Sequence, residues 1–128
     1  MSIDALLDIN RAALNFERAR MEAASLNIAG ANSPLSPGQA AQRHVATTSF
    51  AQQLGQPAGV STESAATRTV HDPSHPLADA DGNVHFPEVN LVQQMTELMA
   101  ASRGYEANVR AVNMLRNMLL KSLEIGRS

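Results

Sequence analysis

The feature that most constrains this chain is a spacing. From Leu91, the positions Leu91, Met95, Leu98, Ser102, Tyr105, Val109, Val112, Arg116, Leu119 and Leu123 step by alternating fours and threes, and all but Ser102 and Arg116 are apolar or aromatic. This is the narrow seam of a helix that meets another helix, not the wider stripe of a helix lying on a globular core. A helix of that span is roughly 50 Å long, more than a chain this small can cover by folding on itself. It must meet something else.

The ends of that helix are written locally. Pro87 precedes it, Asn90 is an N-cap residue with Gln93 at the capping-box position, and Gly126 supplies the stop. Near its C-terminal end Met114, Leu115, Met118 and Leu120 add apolar surface to the seam, so that end is expected to be covered from several sides. A comparable pattern opens the chain. Ser2 can cap a first helix and Asp4 sits at its positive end. Ile3, Leu7, Leu14, Met21, Ala24 and Ile28 recur at three–four spacing, with Asn10 and Glu17 as the polar members of the series. Leu6, Ile9, Ala13 and Phe16 form a second stripe, and Gly30, Asn32, Ser33 and Pro34 end the helix.

Between the helices the character changes, and every proline of the chain falls between residues 33 and 88. The runs His44–Phe50 and Ala66–Val70 are compatible with short strands, but alternation is weak and the segment has little with which to build a core. The expected fold is therefore mainly α: long terminal helices forming a coiled-coil-like hairpin, with an extended, partly β-hairpin centre. The divisions are 1–32, 33–88 and 89–128. An antiparallel hairpin would bring Asp4 near Arg116, and Glu17 near Ser102 and Arg103.

Composition narrows the function. Aromatics are 3% of residues and tryptophan is absent, which favours thin helix seams over a thick core. A formal charge of −2 with scattered basic residues gives no electrostatic case for nucleic acid. Cysteine is absent, which removes disulfides and thiolate chemistry and suits any compartment, an oxidising one included. No apolar run is long enough for a membrane span, and the N-terminus has no basic segment followed by a continuous apolar one, so no cleaved secretory signal is expected.

Candidate chemistry is thin. His71, His75 and His85 could suggest a metal site, but Pro73 and Pro76 prevent a helix that would align them, and solvated loop histidines are the preferred reading. The run Asp79 to Asn83 resembles part of a calcium loop, yet Gly82 comes too early and Asn90 stands where the closing Glu belongs. An Asp-Gly turn joining two extended pieces fits better. No nucleophile–base pair or phosphate-cradling glycine loop is visible, so no enzyme, cofactor or small-molecule substrate is expected. Ser102 and Arg116 read as register-setting residues, Gly104 as a point of close helix approach, and Tyr105 as packing with its hydroxyl at the rim.

Two blocks carry a family resemblance. The run from Val70 through His71, Asp72, Pro73, Ser74, His75 and Pro76 to Met95, continued by Ala101-Ser-Arg-Gly-Tyr-Glu-Ala-Asn-Val109, closely resembles the bacterial flagellar basal-body rod proteins of the FlgC type. So does the closing run from Leu123 to Arg127. At the N-terminus, Arg20 to Ser33 resembles the Asn-Ile-Ala signature that ends the first helix across rod proteins, with Gly30 and Ser33 where Asn and Thr are commoner. The resemblance covers about two-thirds of the chain. It implies a structural subunit of the proximal rod, exported through the flagellar type III apparatus without a cleaved signal peptide and polymerised in the periplasm. Implied partners are other rod subunits, further copies in a helical assembly, and the membrane ring and export gate. The subunit-packing residues expected on this reading are Leu7, Leu14, Met21, Ile28, Met95, Leu98, Ser102, Gly104, Tyr105, Val109, Val112, Arg116, Leu119 and Leu123. The alternative is a soluble coiled-coil regulator or flagellar export adaptor, which would share the seam but have no need of the proline-rich block from Asp72 to Pro87.

Overall fold

A computed structural model describes residues 2–47 and 58–127. Helix α1 spans Ile3–Gly30 and helix α2 spans Leu91–Gly126; among the described residues between them lie four short strands, β1 Gln42–Ala46, β2 Val60–Ser64, β3 Thr67–His71 and β4 Asn83–Pro87. Both helix starts follow the sequence signals. The Ser2 hydroxyl accepts the Ala5 N–H at 3.2 Å, and the Asn90 side-chain oxygen accepts the Gln93 N–H at 3.1 Å, so each cap satisfies a donor the helix leaves free. Both ends fall at the expected glycines, Gly30 and Gly126.

The helices lie against one another as an antiparallel hairpin. Glu17 reaches Gly104, Arg20 reaches Glu97 and Asn27 reaches Gln94, so α2 numbers fall as α1 numbers rise. Because Glu17 is level with Gly104, the end of α1 is level with the start of α2. At the other end Ile3 is level with Met118, and residues 119–126 run on past α1.

The closest approach is made by small residues: Ala19, Ala23, Ala24 and Ala101 are buried, and Ala101 is wholly so. Alanine lets two backbones come near, so this contact is stabilised by many close atom pairs more than by large apolar side chains. Each fully removed methylene-sized group contributes on the order of 1 kcal/mol, which makes a seam of alanines thin.

The expected extended centre is two hairpins. β1 pairs antiparallel with β2, Arg43 opposite Glu63, and those two side chains form an ion pair across the strands. β3 pairs antiparallel with β4, placing the Arg68 guanidinium 4.6 Å from the centre of the Phe86 ring. The first hairpin rests on α1 through β1. The second is joined to the chain just after α1 by a bridge in which the Leu35 N–H donates to the His85 carbonyl at 2.8 Å. Its buried apolar anchors are Val84 and Pro87, both on β4. Of the two β-compatible runs, His44–Phe50 enters β1 as far as Ala46, and residues 48–50 lie outside the described residues.

The run Asp79 to Asn83 is a turn, as the sequence reading held. One Asp79 oxygen accepts the N–H groups of Asp81 and Asn83, both at 2.9 Å, and the other meets His85 Nε2 at 2.8 Å. Gly82 closes the turn at φ +77°, where a side chain would also press on Pro73 and His71. The Asn83 N–H, then the His85 hydrogen bond, hold the Asp79 carboxyl below its ordinary value. The three histidines go separate ways. His71 pairs with Asn83, His75 accepts the Leu77 N–H, and His85 bonds Asp79 and Thr69.

Candidate functional site

The surfaces that distinguish this chain are the polar core of its helix pair and the apolar faces the pair leaves uncovered. The polar core begins at Glu17. Its side chain is 15% exposed and its carboxylate lies over the α2 backbone at Gly104. A Cβ placed on Gly104 would stand 2.8 Å from Glu17 Cδ, well inside contact distance. Glycine in mid-helix costs about 1 kcal/mol relative to alanine, and here the empty space is occupied by a carboxylate. The close approach expected at Gly104 is thus present, with a side chain rather than a helix backbone as the visitor.

Arg20 completes the cluster. It donates to Glu17 at 3.0 and 3.3 Å and to Glu97 across the interface at 2.9 Å. The Glu97 hydrogen bond raises its pKa most; partial burial opposes that, and the Glu17 charge adds to it. One guanidinium therefore ties two carboxylates on different helices, a geometry suited to the planar fork of arginine.

Two turns further on, Asn27 is buried and uses its whole amide. Its Nδ2 donates to the His44 carbonyl at 2.8 Å and to Gln94 Oε1 at 3.0 Å, and its Oδ1 accepts the His44 N–H at 2.7 Å. The side chain acts on His44 as a neighbouring strand would, and so fastens β1 to both helices. An open cleft of about 300 Å³ beside it is lined by Phe16, Arg20, Asn27, His44 and Glu97 among others. Every described buried polar side-chain atom has a partner.

The expected seam divides. On α2 the inward face is Leu98, Ala101, Tyr105, Asn108, Val112, Leu115 and Leu119, all buried or half-buried. Leu98, Tyr105, Val112 and Leu119 belong to the expected series, and Ser102, Gly104 and Val109 flank it, half-buried. Met95, Arg116 and Leu123 are exposed, Met95 at 51% and Leu123 at 66%, with Leu123 past the end of α1. On α1, Leu7, Leu14, Met21 and Ile28 are half-buried, while Ala19, Ala23, Ala24 and Asn27 form the tight contact. The expected neighbour of Glu17 is displaced from Ser102 and Arg103 to Gly104. Asp4 and Arg116 form no ion pair: both are exposed, and Asp4 is level with Asn117.

Two apolar patches are exposed on α2: Leu91, Val92, Met95 and Met99 near its start, and Met114, Met118, Leu120, Leu123 and Ile125 near its end. Several are more than half exposed. Sequence reasoning missed Arg20, Asn27, Gln94 and Glu97. The Glu17–Arg20 spacing was a readable helical pair, but nothing local marks Asn27 as the partner of a residue in a strand.

Known proteins resemble this chain along its length. The family described as flagellar basal body rod FlgEFG protein C-terminal matches residues 80–125. The flagellar basal-body rod protein FlgC of Salmonella typhimurium is 34% identical, over 99% of this chain and 100% of that protein. The protein of the same name from Aquifex aeolicus is 28% identical over 97% of each chain. That of Bacillus subtilis is 47% identical over 58 residues, 45% of this chain and 39% of that protein.

Proposed function

The chain belongs to the FlgC family of flagellar basal-body rod proteins, structural subunits of that rod, and from this premise we propose that it polymerises through its terminal helices and transmits torque. The observation that supports this is the pair of exposed apolar patches near the two ends of α2. Val92 and Ile125 are each 75% exposed, and the exposed large apolar side chains gather in two groups, one from Leu91 to Met99 and one from Met114 to Ile125. Clusters of large apolar side chains in water are unfavourable and mark contact surfaces. Contacts between unlike faces of successive copies do not close, and they generate a helical polymer.

On this reading residues 1–32 and 89–128 form the rod core, and residues 33–88 form a smaller central segment carried on it. The fourteen packing residues divide by role. Met95, Arg116 and Leu123 face neighbours, and the half-buried Leu7, Leu14, Met21, Ile28, Leu98, Ser102, Gly104, Tyr105, Val109, Val112 and Leu119 are shared between the chain's own hairpin and its neighbours. Contacts between subunits are coiled-coil-like. The partners are further copies and other rod subunits, with the membrane ring and export gate at the base. The protein is exported without a cleaved signal peptide and works in the periplasm.

The test is incorporation. Met99→Glu and Leu120→Glu place charges on exposed positions, so the hairpin itself should be undisturbed. Cells carrying either as their sole copy should make the protein, leave it out of detergent-resistant basal bodies, and fail to swim. Normal recovery in basal bodies with normal swimming would refute helix-mediated polymerisation, and recovery only in the cytoplasm of wild-type cells would favour a regulator or export adaptor.

A further inference from the structure

Two helices with a seven-residue repeat carry an ambiguity. If α1 slides along α2 by one repeat, about 10 Å, the same faces meet again and most apolar contacts re-form. At the close contact itself packing opposes the slide in part, since Phe16 or Gly30 would come to the place of Ala23. Along the rest of the seam apolar burial discriminates little, and a polar feature is needed to select the observed register there.

We propose that Glu17 and Gly104 act as a register key, with Arg20 and Glu97 as its second pair. In the observed register the Glu17 carboxylate fills the space that Gly104 leaves, and a Cβ there would come within 2.8 Å. One repeat in one direction puts Glu17 against Glu97, two carboxylates face to face. One repeat in the other puts it against Ala111, whose methyl group occupies the space the carboxylate needs. Arg20 then meets Asn90 or Gly104 and loses its carboxylate on α2. Asn27 meets Pro87 or Ala101 and loses Gln94. Both slides therefore strip the polar pairs while sparing most apolar ones, which is how a polar group in a helical seam specifies register. Glycine is the one residue that accepts Glu17 at this level.

The key has a consequence beyond the hairpin. It fixes how far residues 119–126 extend past α1, and with them Leu119, Leu120, Leu123 and Ile125. That this overhang contacts a neighbouring subunit rests on the reading above; the register itself does not.

The full chain contains no cysteine, so spin labels attach only where cysteines are introduced. Glu22→Cys and Arg110→Cys are exposed sites on the two helices, about 16 Å apart along the axis in the observed register. The unaltered seam should give one distance. Glu17→Ala, and Glu17→Ala combined with Gly104→Ala, remove the key without introducing a clash. Both should give additional populations, with axial offsets near about 6 or about 27 Å. One distance unchanged in both variants would overturn the proposal, as would a broad distribution in the parent chain. Either result leaves basal-body incorporation to be decided separately, so failure of the key and failure of the polymer reading are distinct.

Discussion

Replacing Asn27 with alanine removes three hydrogen bonds at once, and the structure allows the cost to be worked out. Three ordinary hydrogen bonds at about 1 kcal/mol each set a scale of about 3 kcal/mol, and an orphaned buried group would add to it. His44 is only half-buried, however, and the cleft beside it is open, so water can reach the His44 N–H and carbonyl once the amide is gone. The expected loss is therefore about 2 kcal/mol, confined to the attachment of β1 to the helices. That corresponds to about 30-fold faster hydrogen exchange at the His44 amide. Leu26→Ala is the control: Leu26 is adjacent and 40% exposed, and exchange at His44 should barely change. Asn27→Asp should be no better than alanine near neutral pH. Its carboxylate can still accept the His44 N–H, but it would face the His44 carbonyl and Gln94 Oε1 as an acceptor against acceptors. Exchange at His44 within about three-fold of the parent in Asn27→Ala, a difference of about 0.7 kcal/mol, would refute the claim that this amide fastens the strand.

Further expectations follow from the same geometry. Arg20→Ala should destabilise the helix pair by about 2–4 kcal/mol in denaturant unfolding, because it leaves the mostly buried Glu17 carboxylate unpaired. Glu97→Ala should cost about 1 kcal/mol or less, since Glu97 is half exposed; equal losses would contradict the cluster as described. The Asp79 carboxyl is held below its ordinary value by the Asn83 N–H and by His85, so its contribution is present above the unfolded value and fades as pH falls through the lower folded one. The Asn83 amide should stay protected at pH 5 and lose protection only below about pH 4; early loss at pH 5 would count against that assignment. Gly82→Ala should destabilise the β3–β4 hairpin by about 1–2 kcal/mol from its positive φ alone, read from exchange at Val70 and Val84.

Much of this architecture was legible because it is written locally. Ser2 and Asn90 cap, Gly30 and Gly126 stop, and proline and Asp-Gly chemistry break up the centre, each acting through residues within a few positions. Which face of α2 turns inward was only half legible. The search for large apolar residues found Leu98, Tyr105, Val112 and Leu119 but set Met95, Arg116 and Leu123 beside them. The structure adds Ala101, Asn108 and Leu115 to the inward face, and Ala101 takes the tightest place because alanines on α1 draw the helices close there. The polar core was the least legible part. Glu17 and Gly104 were each noticed, one as an exception in an apolar series and one as a cost, but their contact joins residues far apart in sequence. Asn27, read at first as part of a family signature, has its physical account only when β1 is folded beside it.

The central claim is that the apolar faces of α2 are covered by neighbouring subunits of the rod while the hairpin keeps its own register. Imaging intact basal bodies at side-chain resolution tests it most directly. The account predicts Val92, Met95, Met99, Leu120, Leu123 and Ile125 buried against helices of adjacent subunits, with Glu17 still seated at Gly104. Finding those side chains facing solvent, with neighbouring subunits joined through the β hairpins alone, would contradict it.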